Sequence, residues 1–241
     1  MLFDLKGKRR RTVQATYVTL AVLMGAGLVL FGIGSSVNGG LGNLFGGGNG
    51  SNTANQTIQK KIDAAERTLR RDPRNQAALA NVVTGHYQLA TATADPRTSE
   101  FTRDSRPELL ATTAAWKRYE AAVKKPAPKI ANLARDAYSS LAKFDHGAAA
   151  TADWAGAADA TEALTSTKPT AQNYVFLVQY AALAGQTRKA DLAGKQAVRL
   201  APKGQRSQVK QAVKQAKAAA QQQTQPGAQP GSGTPTPAPS G

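Results

Sequence analysis

Residues 171–204 read AQNYVFLVQYAALAGQTRKADLAGKQAVRLAPKG. Two runs rich in apolar residues, Tyr174 to Leu183 and Ala190 to Leu200, stand on either side of Gly185. Pro202 follows the second run and Pro169 precedes the first. Each run is long enough for about three turns of helix, so the stretch predicts two helices joined by a turn at Gly185. The small side chains of Ala190 and Ala197 let the second helix approach the first closely, and Tyr174 supplies bulk beside them. Paired helices punctuated by proline raise the question of an internal repeat.

The segment resembles a tetratricopeptide repeat, in which W-x2-L-G-x2-Y precedes A-x3-F and a closing P. Tyr174 stands at the aromatic position and Leu177 at the Leu, while Val178 replaces the small residue and Ala181 the Tyr. Gly185 falls at the turn, Ala190 and Gly194 occupy the A-x3-F sites, Ala197 supplies a further small residue, and Pro202 ends the unit. Weaker echoes lie upstream. Ala115, Tyr119 and Ala122 precede Pro126, and Trp154, Ala157, Thr161 and Leu164 precede Lys168-Pro169. Asp72-Pro73-Arg74-Asn75, ahead of Leu79 and Val82, is similar to an inter-repeat link. Residues 56–204 thus hold about three degenerate repeats after a leading half-repeat. The resemblance implies stacked helix pairs and a concave face, lined by the first helix of each pair, that binds a protein or peptide. Carried onto this chain, that face holds Thr84, Gln88, Asn132, Arg135 and Gln179. The two-carboxylate clamp of some family members needs Lys and Asn at groove positions, which Val175 and Gln179 do not supply.

Working outward, the rest of residues 55–220 also reads as helix: Ala is abundant and alternation of β-branched residues is nearly absent. Ile58, Ile62, Ala65 and Leu69 share one helical face, and Asp72-Pro73 ends that helix. Leu79, Val82, Val83 and His86 mark a second helix. Pro96 and Pro107 bracket a polar connection to a third, which holds Leu109, Ala115, Trp116 and Tyr119 and stops at Pro126 and Pro128. Ile130 to Leu141 and Trp154 to Leu164 give two more. Beyond Pro202, Val209, Val213, Ala216 and Ala220 form one apolar stripe on a Lys/Gln-rich helix, the pattern of a terminal cap. The expected fold is all-α: a single N-terminal transmembrane helix and a tetratricopeptide-like helical-repeat domain with a C-terminal capping helix.

Toward the N-terminus, Val13 to Gly34 contains no charged residue. As a helix it would span ~33 Å, enough for a hydrocarbon core of ~30 Å. The apolar run is longer than that of an export signal, and Gly-Ile-Gly-Ser-Ser makes a poor cleavage site. Lys6, Lys8, Arg9, Arg10 and Arg11 precede the run, and the next basic residue is Lys60. Positive flanks stay inside. The layout is therefore a basic cytoplasmic segment (1–12), a transmembrane helix (13–34), a Gly/Asn-rich tether (35–54), the helical domain (55–222) and a Pro/Gly/Thr tail (223–241) outside the cytoplasm. It resembles that of actinobacterial membrane-anchored tetratricopeptide proteins, which implies the plasma membrane and cell envelope.

The 241 residues include no Cys and two well-separated His, His86 and His146, so thiol chemistry and a His-pair metal motif are excluded. No P-loop or G-x-S-x-G is present. Ser139 and Ser140 near His146 read as ordinary surface residues, and Asp63 and Glu66 with Arg67 and Arg70 as helix-surface charge pairs. We expect no enzyme and no cofactor. The net charge is +16, but the basic residues are scattered among Ala and Gln without aromatic interleaving, which argues against nucleic acid. The expected function is protein–protein interaction, as a scaffold or holder of exported chains; the alternative partner is an anionic envelope polymer or lipid headgroup. The full-length protein is expected to stay with the membrane through mild washing; a chain beginning near Ser36 in the medium would show a cleaved signal instead.

Overall fold

A computed structural model describes residues 51–224. The predicted span 13–34, the basic segment before it and most of the tether and tail lie outside the described residues. Among the described residues the protein is all-helical, with eight α-helices. They are α1 (Ser51–Arg71), α2 (Gln76–Ala92), α3 (Arg106–Ala122), α4 (Pro128–Phe144), α5 (Gly147–Thr167), α6 (Ala171–Leu183), α7 (Thr187–Leu200) and α8 (Arg206–Thr224). None of these is long and apolar enough to cross a membrane.

The helix boundaries have local causes. Asn75 caps α2, its side chain accepting the Ala78 N–H, and Thr170 caps α6 through the Asn173 N–H. Pro128 opens α4, where a missing N–H costs nothing. Pro107 likewise lies in the first turn of α3. It therefore starts that helix rather than closing the connection before it. The α6–α7 turn is a Schellman motif. Gly185 sits at φ +71°, its N–H bonds to the Ala182 carbonyl, and the Gln186 N–H reaches the Ala181 carbonyl at 2.7 Å. α1 begins at Ser51, four residues before the expected domain start at 55. Gly50 is the last glycine before it, and nothing in Ser51 to Ala54 opposes helix.

The long connection after α2 is ordered by its own side chains. The Asp95 carboxylate accepts the N–H groups of Arg97 and Thr98. Thr102 donates to the Thr93 carbonyl, and buried Ser105 accepts the Thr102 N–H. Phe101 packs edge-on against Tyr87 of α2, with ring centroids 5.6 Å apart. A single 3₁₀ turn, Arg103–Ser105, then leads into α3.

Each helix packs on the next, and α2 also meets α4 while α6 also meets α8. The main core lies among α1 to α5. Leu79, Val82, Trp116, Tyr119, Ala134, Tyr138 and Leu164 are all buried in it. A second cluster joins α6, α7 and α8 through Leu177, Val178, Ala181, Ala190 and Ala193, with Tyr174 and Val213 packed against it. α8 is thus held by one face, as its sequence predicted.

Glycines mark the tightest crossings. A Cβ on Gly156 of α5 would lie 2.5 Å from the Tyr138 ring of α4. A Cβ on Gly85 of α2 would lie 2.5 Å from Ile62 of α1. Gly194 of α7 faces Val213 of α8, where a Cβ would come within 2.9 Å. This last position is where the tetratricopeptide pattern favours Phe, and here the room is taken by the final helix.

Replacing Gly156 by Ala is expected to lower stability by about 1–3 kcal/mol, because the Tyr138 ring is walled in on all sides. Gly204→Ala, where an added Cβ meets nothing within 4 Å, is the control. Urea unfolding that fails to separate the two variants would show that the α4–α5 crossing is looser than described.

Candidate interaction cleft

α1 and α2 diverge around a cleft of about 610 Å³. Its α1 wall carries Ile58, Lys61, Ala64, Ala65 and Thr68. Its α2 wall carries Asn75, Ala78, Asn81, Thr84, Gly85 and Gln88. Ile and Ala side chains supply its apolar lining, and amide and hydroxyl groups with the Lys61 ammonium supply its polar lining. Gly85 lines the cleft, and a Cβ there would lie 2.5 Å from Ile62 of α1, so the two helices meet closely beside it.

Two of the five residues expected on the binding face, Thr84 and Gln88, line this cleft. The Thr84 hydroxyl donates to the Ala80 carbonyl at 2.8 Å, leaving its methyl and oxygen lone pair toward any ligand. Asn132 and Arg135 lie on α4 and Gln179 on α6, away from the cleft walls. Asn132 is half-buried and Gln179 is exposed. Arg135 is engaged within the protein. Its Nε and Nη2 donate to Asp136, and its guanidinium sits 5.1 Å from the centre of the Phe176 ring.

Phe176 belongs to an aromatic ladder that sequence reading did not anticipate. Trp154 of α5 stacks on Tyr180 of α6 at 5.9 Å and 14°, and Phe176 stacks on Tyr180 at 6.4 Å and 18°. Phe176 and Tyr180 are one turn apart on α6, which is the only local signal of this ladder. Trp154 arrives from another helix. Burial raises the Tyr180 hydroxyl's pKa, with Arg135 opposing, so the phenol stays neutral and the ladder serves as packing between α4, α5 and α6.

The remaining singled-out residues are held structurally. His86 Nδ1 lies 2.7 Å from Glu108 of α3, tying α2 to α3. Ser139 and Ser140 both donate to the Asp136 carbonyl of their own helix. Asp63 accepts from Gln59, and Glu66 pairs with Arg118 of α3, at 2.8 Å, rather than with Arg67 or Arg70 of its own helix. The ion pair is longer-range than sequence spacing suggested, because Arg118 is brought beside α1 by the fold. No group of three or more His, Cys, Asp or Glu able to hold a metal ion occurs among the described residues.

The least comfortable electrostatics lie between α4 and α5. Burial, together with the neighbouring Asp145 carboxylate, pushes Asp153 up to about 6, with Arg106 and Lys117 opposing. Arg106 is committed to Asp145 at 2.9 Å, which is why its help for Asp153 is incomplete. Burial, then Asp159 and Glu162, likewise raises Glu120. No protein-family model matches the sequence, and no curated protein or solved structure matches it.

The raised Asp153 pKa makes a pH prediction. The folded state holds this proton more tightly than the unfolded chain does, so the group's stabilising contribution is complete below about pH 4. It is lost as pH rises through about 6. Asp153→Asn removes that loss. Discounted for partial exposure to about 1 kcal/mol, the variant should melt about 2–4 °C above wild type at pH 7 and level with it at pH 4. A gain of equal size at both pH values would sink the assignment.

Proposed function

We propose that this chain is a membrane-anchored helical-repeat protein of tetratricopeptide type that holds a protein or peptide partner outside the cytoplasm. The observation that carries the reading is the α1–α2 cleft, with apolar and polar lining and two of the expected groove residues in its wall. Antiparallel pairs α2–α3, α4–α5 and α6–α7, packed in succession with α8 closing the last, support the repeat architecture. Ala-lined walls offer area to a partner's apolar side chains. Asn81, Thr84 and Gln88 offer neutral donors and acceptors that pair with peptide groups without the desolvation cost of buried charge. A cleft lined mainly by small apolar, amide and hydroxyl side chains, with Lys61 its one charged residue, suits a segment of protein better than a metabolite, which needs convergent charges or a deep enclosure. The anchor supports an envelope location, and the tether sequence suits presentation of the domain beside the membrane.

The test is photo-crosslinking in native membranes, with a photoreactive residue at Asn81 or Gln88 of the full chain. A discrete protein adduct is expected from both positions. It should be lost when Thr84→Arg fills the cleft, and Arg97, in the connection after α2, should give none. Identical adducts from all three positions, or adducts unaffected by Thr84→Arg, would rule out the cleft as the partner site.

A further inference from the structure

The chain direction sorts the charges of this protein to one end. Glu66 of α1 pairs with Arg118 of α3. Glu120 of α3 feels Asp159 and Glu162 of α5. Those two carboxylates in turn hold Lys189 of α7 at 2.8 and 2.7 Å. These ion pairs tie α1 to α3 and α5 to α7, and the alternation of successive packed helices points all four the same way. At ~1.5 Å per residue, the pairings also place the C-terminal ends of these helices within about two turns of one another. The four ends thus follow one another along one end of the helix stack.

That row is almost purely cationic. The end of α1 carries Arg67, Arg70, Arg71 and Arg74. The α3–α4 link and the first turn of α4 carry Lys124, Lys125 and Lys129. Lys168 follows α5, and Arg199, Lys203 and Arg206 follow along α7 and into α8. All eleven are exposed, and none takes part in the ion pairs of the described residues. The acids nearest them are committed or recessed. Asp72 binds the Arg74 N–H and the Asn75 amide, and Glu120 is half-buried with a raised pKa. The opposite end is balanced. Arg97, Arg103, Arg106, Lys143 and Arg188 stand there among Asp95, Glu100, Asp104, Glu108, Asp145 and Asp153.

Helix stability explains only part of this. Arg70, Arg71 and Arg199 lie in last turns, where the helix dipole favours cations. The same end, however, holds the starts of α2, α4, α6 and α8. Acidic residues would stabilise those starts, and none of the four has one in its first turn. Lys129 and Arg206 stand there instead, against the dipole. Helix-dipole stabilisation therefore does not account for the cations at these four starts.

The side chains specify the ligand's chemistry. No exposed aromatic residue stands in the row; Tyr119 is buried, its hydroxyl accepting the Ala127 N–H. Leu200 is the one large apolar side chain exposed nearby. Base stacking and insertion into lipid therefore have no anchor here. What remains is an elongated line of charge, with Arg forks suited to phosphate oxygens. We propose that this end of the helix stack binds a linear, phosphate-bearing polyanion through ion pairing along the row.

The experiment measures binding of inorganic polyphosphate to the full chain in neutral detergent, as wild type and as two charge-matched variants. One variant reverses the row (Lys124→Glu, Lys125→Glu, Lys168→Glu, Lys203→Glu). The other reverses the opposite end (Arg97→Glu, Arg103→Glu, Lys143→Glu, Arg188→Glu). All of these side chains are exposed, and glutamine replacements at the first four positions serve as a gentler second version. The proposal expects at least a tenfold loss for the row variant and less than twofold for the other. It also expects wild-type affinity to fall by about a thousandfold between 50 and 200 mM salt, as for six or more phosphate contacts. Equal losses in both variants, binding insensitive to salt, or binding to phosphatidylserine vesicles without binding to polyphosphate would each overturn it.

Discussion

The close approach of small-residue helices is the constraint on which the rest of this structure depends. With so much alanine, each helix offers little apolar area per turn, and burial stabilises in proportion to area removed from water. The helices compensate by packing near backbone contact distance. Gly85 against Ile62, Gly156 against Tyr138 and Gly194 against Val213 are positions where even a Cβ would force the facing side chain to shift. The few large residues, Trp116, Tyr119 and Tyr138, are then buried where alanines surround them. A core built this way tolerates little added volume, because there is no loosely packed layer to absorb it.

Close packing also determines what the charges can do. Helices of the same direction lie near enough for Glu66 to reach Arg118 and for Asp159 and Glu162 to share Lys189. These pairs are partly exposed, and each contributes at most about 1 kcal/mol. Their value lies in register: they hold neighbouring pairs at a consistent stagger. Acids held in such pairs are not available to the lysines and arginines elsewhere on the domain, which carry the excess of positive charge. The same arrangement crowds carboxylates between α4 and α5, where Asp153 is lifted by burial and by Asp145.

The cleft and the aromatic ladder are two outcomes of one geometry. At the α1–α2 end the cleft is lined by residues of these two helices and the α2 cap alone among the described residues, with amide and hydroxyl groups and Lys61 as its polar lining. Between α4, α5 and α6 the corresponding space is filled by Arg135, Phe176, Tyr180 and Trp154. Large flat side chains there bring two helix pairs together, and Arg135, expected from sequence to line a binding face, is engaged within the protein by Asp136 and Phe176.

The sequence by itself determined the helices and where they stop. Apolar residues three and four apart, proline at Pro73, Pro128 and Pro202, and glycine at Gly185 act within a turn or two of the chain, so their effects are legible without knowing the fold. The apolar stripe of the last helix was equally plain, and Val213 and Ala216 of that stripe pack against the α6–α7 cluster. Tertiary structure alone decided which faces meet. Nothing within one helix reveals that Gly156 lies under Tyr138, that Glu66 prefers Arg118 to the arginines one turn away, or that Trp154 completes a ladder with Phe176 and Tyr180. Nor does it reveal that Thr84 and Gln88 share a cleft while Arg135 does not. Those relations join residues distant in the chain. They depend on stagger and crossing angle, set by the summed packing of many small side chains rather than by any local motif.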